Sequence, residues 1–145
     1  MKIVIASDHR GFDLKQQILQ ENFNEGIDWI DAGCDSAQRC DYPDYASKVV
    51  QTIKNNNAQA GILLCGTGIG MSIAANRYPG IYAALCWNEE IARISKQHNN
   101  ANVLVLPANF VEVKQALAMI QAWHQATFLG DRHQHRIDQI DTIRL

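Results

Sequence analysis

The chain has 145 residues, 47% of them hydrophobic and 19% charged, the size and composition of one globular domain with one core. Its 13 Lys and Arg nearly balance 15 Asp and Glu, for a formal net charge of -2, which excludes the strong basic excess of a nucleic-acid binder. No apolar run approaches the ~20 residues of a membrane span, so neither nucleic acid nor membrane is expected as a partner.

Ile3 to Ala6 is apolar and meets the polar Ser7-Asp8-His9 at once. It is too short for an export signal and reads as a buried strand over 2–6. A helical pattern follows over 11–24, a strand over 27–31, a helix over 43–54 and a strand over 60–65. Then come a helix over 69–77, a strand over 81–86, a helix over 88–97 and a strand over 102–106. A helix over 110–124, with Val113, Leu117, Ile120 and Trp123 on one face, precedes a polar final helix near 132–143. Cys34, Cys40, Cys65 and Cys86 show no C-x-x-C spacing and read as reduced thiols of a cytoplasmic protein.

Strand–helix alternation predicts an α/β fold with a parallel sheet between two helical layers, in a single domain spanning 1–145. The runs Ile62-Leu63-Leu64 and Val103-Leu104-Val105-Leu106 do not alternate, as strands buried on both faces should not. Five strands suggest the doubly wound, Rossmann-like or flavodoxin-like order 2-1-3-4-5, with an extra C-terminal helix. Ligands then bind beyond the carboxyl ends of strands 1 and 3.

Chemistry-bearing residues cluster at both of those ends. After strand 3 comes Cys65-Gly66-Thr67-Gly68-Ile69-Gly70-Met71-Ser72, where glycines let backbone N–H groups approach an anion or a developing oxyanion. Gly70 falls one position too early for the dinucleotide fingerprint. A thiol facing such donors favours its thiolate and becomes a base or nucleophile; the plainer reading of a Cys, kept for Cys34, Cys40 and Cys86, is a small buried hydrophobe. After strand 1, Asp8 and His9 can orient hydroxyls and contact an anion, or Asp8 can cap the next helix. Tyr42 follows strand 2 and either borders the same crevice or packs in its loop.

Two further groups stand apart. His98 ends the helix after strand 4, which runs back toward the amino edge of the sheet. It is therefore a surface residue or serves another subunit's site. Arg132 and Arg136, four apart on a helix, share one face and suit a phosphate, unless that face is simply solvated. His133 and His135 lack the Cys/His company of a metal site, and no metal is expected.

Ser7-Asp8-His9-x-Gly11-Phe12, Asp41-Tyr42-Pro43-x-Tyr45-Ala46, the segment from Gly61 to Asn76, Gln97-His98-Asn99 and Arg132-His133-Gln134-x-Arg136 together resemble the ribose-5-phosphate isomerase B family. The resemblance runs in order and spacing from about residue 2 to residue 140. It implies aldose–ketose isomerisation of a five-carbon sugar phosphate without metal or organic cofactor. It also implies a homodimer or homotetramer with active sites shared between subunits. Carried over, Cys65 is the base, and the 66–70 backbone, with Thr67 and the turn Gly66, Gly68, Ile69 and Gly70, stabilises the enediolate. His98 opens the sugar ring and Asn99 holds substrate. Asp8 and His9 contact sugar and phosphate, and Arg132 and Arg136 hold the phosphate.

One departure stands out: Asn109 occupies the place of a family arginine after strand 5. Arg10, where relatives carry small apolar residues, is a candidate to restore the charge. Both join the expected phosphate contacts. The alternatives are the same chemistry on a six-carbon sugar phosphate, such as allose or galactose 6-phosphate, or a non-catalytic flavin- or nucleotide-binding module.

Overall fold

The computed structural model describes residues 1–21 and 26–143. It contains β1 (Lys2–Ser7), α1 (Phe12–Gln20), β2 (Asp28–Asp31), α2 (Tyr42–Lys54), β3 (Ala60–Cys65) and α3 (Ile69–Ala75). These are followed by β4 (Ala83–Leu85), α4 (Glu89–Asn99), β5 (Val103–Pro107), α5 (Val113–Gln125) and α6 (Arg132–Asp141). The predicted alternation is observed. Positions 22–24 of the helix expected over 11–24 lie outside the described residues. The start of α5 falls at Val113, not 110, because Glu112 caps it in a reciprocal pair with Gln115.

The sheet is parallel, with order β2-β1-β3-β5-β4, which corrects the expected 2-1-3-4-5. The reason lies in burial. Every residue of β5 is buried, whereas Ala83, Ala84 and Leu85 of β4 are only half-buried. An unbroken apolar strand belongs between neighbours, and the three-residue strand takes the edge. There β4 gains a substitute partner: the Asn76 side-chain amide donates to the Ala83 carbonyl and accepts from the Ala83 N–H, both at 2.8 Å.

The helical layers follow from this order. Ile3, Ile5, Ile62, Leu64, Leu104 and Leu106 face the layer that carries α1, α4 and α5. Their alternate neighbours Val4, Ala6, Leu63, Cys65, Val103 and Val105 face α2 and α3. The steps β1 to β2 and β4 to β5 run one way across the sheet and use the first layer. The steps β2 to β3 and β3 to β4 run the other way and use the second, as a single crossover hand requires. The junction between β1 and β3 survives the correction, and β5 now lies directly beside β3.

Candidate active site

The carboxyl edge of β3 is tied to both of its neighbours. Asp8 N–H donates to the Leu64 carbonyl at 3.1 Å, Ala108 N–H to the Cys65 carbonyl at 2.9 Å, and Asn109 N–H to the Gly66 carbonyl at 3.0 Å. These bonds bring the turns after β1, β3 and β5 into one place. The corrected order is what delivers Asn109 here, since the expected order would have put β4 between β3 and β5.

Within this cluster Cys65 is 5% exposed, and its Sγ accepts from the Gly68 N–H at 3.2 Å. Gly68 makes that approach with a left-handed φ of 75°; a Cβ there would lie 2.4 Å from Leu85 Cδ1. Gly66 is less constrained: a Cβ there would come within 2.9 Å of Arg10 Cδ and Asn109 Nδ2, both on side chains that can move. Arg10 and Asn109 thus lie over the same glycine, beside the thiol's loop. Thr67 and Ile69 are exposed, with the Ile69 N–H donating to Thr67 Oγ1 at 3.3 Å. The Tyr42 ring lies against Gly70, whose added Cβ would meet it at 2.6 Å. Tyr42 therefore lies over the 66–70 turn.

Asp8 is 5% exposed, and its Oδ1 accepts from the Arg10 and Gly11 N–H groups at 2.9 and 3.0 Å. It shapes the turn into α1, although the N-cap itself is Gly11. His9 is held through Nδ1, which in one tautomer accepts from the Cys40 N–H at 3.3 Å and in the other donates to the Cys40 carbonyl at 3.2 Å. All four cysteines are free thiols. Burial, followed by the neighbouring Cys34 thiol, raises the Cys40 pKa, and burial pushes Cys86 up to about 11. Both keep their protons at neutral pH.

The remaining expected residues sit at the other end of the strands. Gly61 pairs with Val103 and Cys65 with Pro107; at ~3.3 Å per residue these four steps cover about 13 Å. His98 and Asn99 close α4 before β5 begins, so they lie beyond the Val103 end of that span. His98 stacks on His133 of α6, with ring centroids 4.2 Å apart and planes at 10°. Arg132 and Arg136 flank His133 and are exposed. A cleft of about 740 Å³ is lined in part by Tyr78, Tyr82, Asn99 and Ile137, without either arginine. One chain therefore carries two groups, a thiol group at the carboxyl edge and a cationic group at the amino edge.

The sequence weighs His133 only as a metal ligand; the structure gives it a different place. It is 5% exposed, and its Nε2 is buried without a protein hydrogen-bond partner. Burial first, then the charges of His98, Arg132 and Arg136, lower its pKa below the ordinary 6.5. With the folded value below the unfolded one, the unfolded chain takes up the proton first as pH falls. His133 thus contributes its stability in full above about pH 6.5 and loses it toward the lowered folded value. The denaturant midpoint should accordingly fall further between about pH 7 and pH 5 in the wild type than in His133→Gln. Equal falls would exclude His133 as the cause.

These features define an α/β protein of the doubly wound class, with a thiol and a backbone cradle at its β1/β3 junction. Residues 3–140 match the family model described as Ribose/Galactose Isomerase. The chain is 42% identical over 142 residues to ribose-5-phosphate isomerase B of Escherichia coli strain K12, covering 98% of this chain and 95% of that protein. It superposes on a ribose 5-phosphate isomerase from Thermotoga maritima with a TM-score of 0.94 at 50% identity, over 98% of both chains. A Mycoplasma genitalium ribose-5-phosphate isomerase B with bound ribulose-5-phosphate gives a TM-score of 0.89 at 40% identity, over 97% of this chain and 93% of that one. The chain belongs to the Ribose/Galactose Isomerase family. Among the described residues, no helix is long and apolar enough to cross a membrane.

Proposed function

We propose that the chain interconverts D-ribose 5-phosphate and D-ribulose 5-phosphate through an enediolate, at sites completed between two copies of the chain. The observation that carries this reading is the Cys65 sulfur beneath the Gly68 N–H, at a strand junction that also holds Asp8 and His9. Family membership supports the reaction class, and the ligand of the Mycoplasma genitalium relative supports the five-carbon substrate.

In this reading the Cys65 thiolate takes the proton from the carbon beside the carbonyl and returns it to the neighbouring carbon. Amides of the 66–70 turn, with Thr67, face the enediolate oxygen, where a well-aimed donor contributes roughly 3 kcal/mol. Asp8 and Tyr42 border the sugar and His9 contacts sugar and phosphate. The second copy brings His98 for ring opening, Asn99 for holding substrate, and Arg132 and Arg136 for the phosphate. Holding the phosphate sets the two reacting carbons against the base. The exposed Ile69, Ile73, Trp87 and Phe110 at the carboxyl edge, and Ile140 and Ile143 at the amino edge, support burial of both ends in an assembly. Four free thiols support a cytoplasmic setting.

A panel of five- and six-carbon sugar phosphates assayed with the purified protein tests the substrate. Ribose 5-phosphate should give the highest kcat/KM; a higher value for allose or galactose 6-phosphate would overturn the five-carbon reading. In the same assay Arg10→Ala should raise KM for the phosphorylated sugar about fivefold or more, because the lost charge is a ground-state contact. An unchanged KM would remove Arg10 from the phosphate site.

A further inference from the structure

The stripe of α1 that meets the sheet is Gly11, Leu14, Lys15 and Ile18, all buried. Three of these are what a core face demands, and the fourth is a lysine with no exposed surface. Lysine is almost never fully buried unless it is paired. Here Nζ lies 2.5 Å from Asp31 Oδ1 and donates to the Cys34 carbonyl at 2.9 Å. The same Asp31 oxygen accepts from the Gly33 N–H at 2.9 Å. The loop leaving β2 is thus gripped at its start by one ammonium group.

That grip continues into the site. Ser7 N–H donates to the Gly33 carbonyl at 2.8 Å, and Cys34 N–H to the Ser7 carbonyl at 3.0 Å, so the loop is stitched to the residue preceding Asp8. Farther along, the Cys40 backbone holds His9 through Nδ1. Two residues later the chain opens α2 with Tyr42, whose ring covers Gly70.

We propose that Lys15 is a positioning residue: by holding Asp31 and the Cys34 carbonyl it sets the 33–42 loop, and through that loop the places of His9 and Tyr42 beside the Cys65 cradle. The inference rests on the proposed role of His9 and Tyr42 at the substrate. Lys15 touches no substrate itself. Its ammonium neutralises the carboxylate at the end of β2 and orients the carbonyl that starts the loop. A methionine would retain the apolar stem and lose both contacts.

The test compares Lys15→Met, Lys15→Arg and Asp31→Asn with the wild type. Lys15→Met and Asp31→Asn should raise KM for ribose 5-phosphate at least fivefold while kcat changes less than threefold, since a displaced wall removes ground-state contacts. Lys15→Arg should recover part of the loss. In a His9→Asn background the Lys15→Met effect on KM should shrink, because the two changes share His9 and only the Tyr42 part remains. Nitrogen-15 spectra of the five imidazoles give a readout independent of turnover. In Lys15→Met the His9 ring signals should shift while those of His98 and His133 stay. An unmoved His9 signal, equal shifts at all five rings, or an undiminished Lys15→Met effect in the His9→Asn background would each overturn the positioning role. A wild-type protein inactive on every sugar phosphate would sink the isomerase reading instead, and the imidazole spectra would still decide what Lys15 does.

Discussion

Cys65→Ala is expected to lower kcat for the ribose 5-phosphate to ribulose 5-phosphate interconversion by about 10²–10⁴-fold, the range associated with a positioned general base. The substitution leaves the Cβ in place and removes only the sulfur. Circular dichroism should therefore match the wild type, and the loss should appear in kcat more than in KM. Cys65→Ser should fail as well. Its hydroxyl fits the space and can accept from the Gly68 N–H, but an alkoxide is far harder to form than a thiolate. Cys86→Ala is the control, because that thiol is fully buried and its pKa is pushed up to about 11 by burial. It should retain activity. If Cys65→Ala retained more than about a tenth of the wild-type kcat, the proton would have to be carried by another group, and the cradle around this sulfur would need a different purpose.

The meeting of Cys65, its glycine turn and Asp8-His9 at one junction was legible because it depends on chain winding and local turn chemistry, both of which leave marks in the sequence. A strand ending in Cys65 and followed by Gly66, Gly68 and Gly70 announces a close backbone approach. The neighbouring strand end at Ser7-Asp8-His9 then identifies the junction. Strand order past β3 was harder. Five strands with alternating helices fit more than one winding, and the rule of nearest succession favours 2-1-3-4-5. The decisive difference is quantitative: Val103 to Leu106 is an unbroken buried run, while β4 shrinks to Ala83–Leu85 with half-buried side chains. Asn109 illustrates the consequence. Sequence reasoning associated it with the phosphate through resemblance, but only the β3–β5 pairing accounts for its bond to the Gly66 carbonyl.

The burial of Lys15 and His133 is hidden from the sequence for a different reason. Each is a polar residue at a buried position, and its significance depends on a partner distant in sequence. Lys15 meets Asp31 sixteen positions away, and His133 meets His98 across two helices. A signal for the lysine was present, since it interrupts the Gly11, Leu14, Ile18 stripe where an apolar residue belongs. His133 lies next to Arg132 on a polar helix, and the sequence offers it only as a metal ligand without company. Its burial comes from α6 packing against α4, and the local pattern carries no trace of that contact.

The separation of the two groups along the strands leads to the second large effect. In a two-fold dimer, each site would take its thiol, cradle, Asp8 and His9 from one copy and its His98, Arg132 and Arg136 from the other. Cys65→Ala destroys the first half of every site, and Arg132→Ala combined with Arg136→Ala destroys the second. Each variant alone should be nearly inactive as a homodimer. Mixed under conditions that exchange subunits, half of the dimers would pair one chain of each kind, and each such dimer would have one intact site and one site lacking both halves. Specific activity should then rise to about a quarter of the wild-type value at equal mixing, and it should follow the product of the two mole fractions across a titration. A within-chain site predicts no recovery at any ratio, because no single chain would hold both halves. Demonstrated exchange, for instance by mass spectrometry of isotope-labelled chains, with activity remaining at the level of the separate variants would therefore refute the shared site. It would also leave the roughly 13 Å or more between Cys65 and the His98 end of the strands to be closed within one copy, which packed parallel strands cannot do.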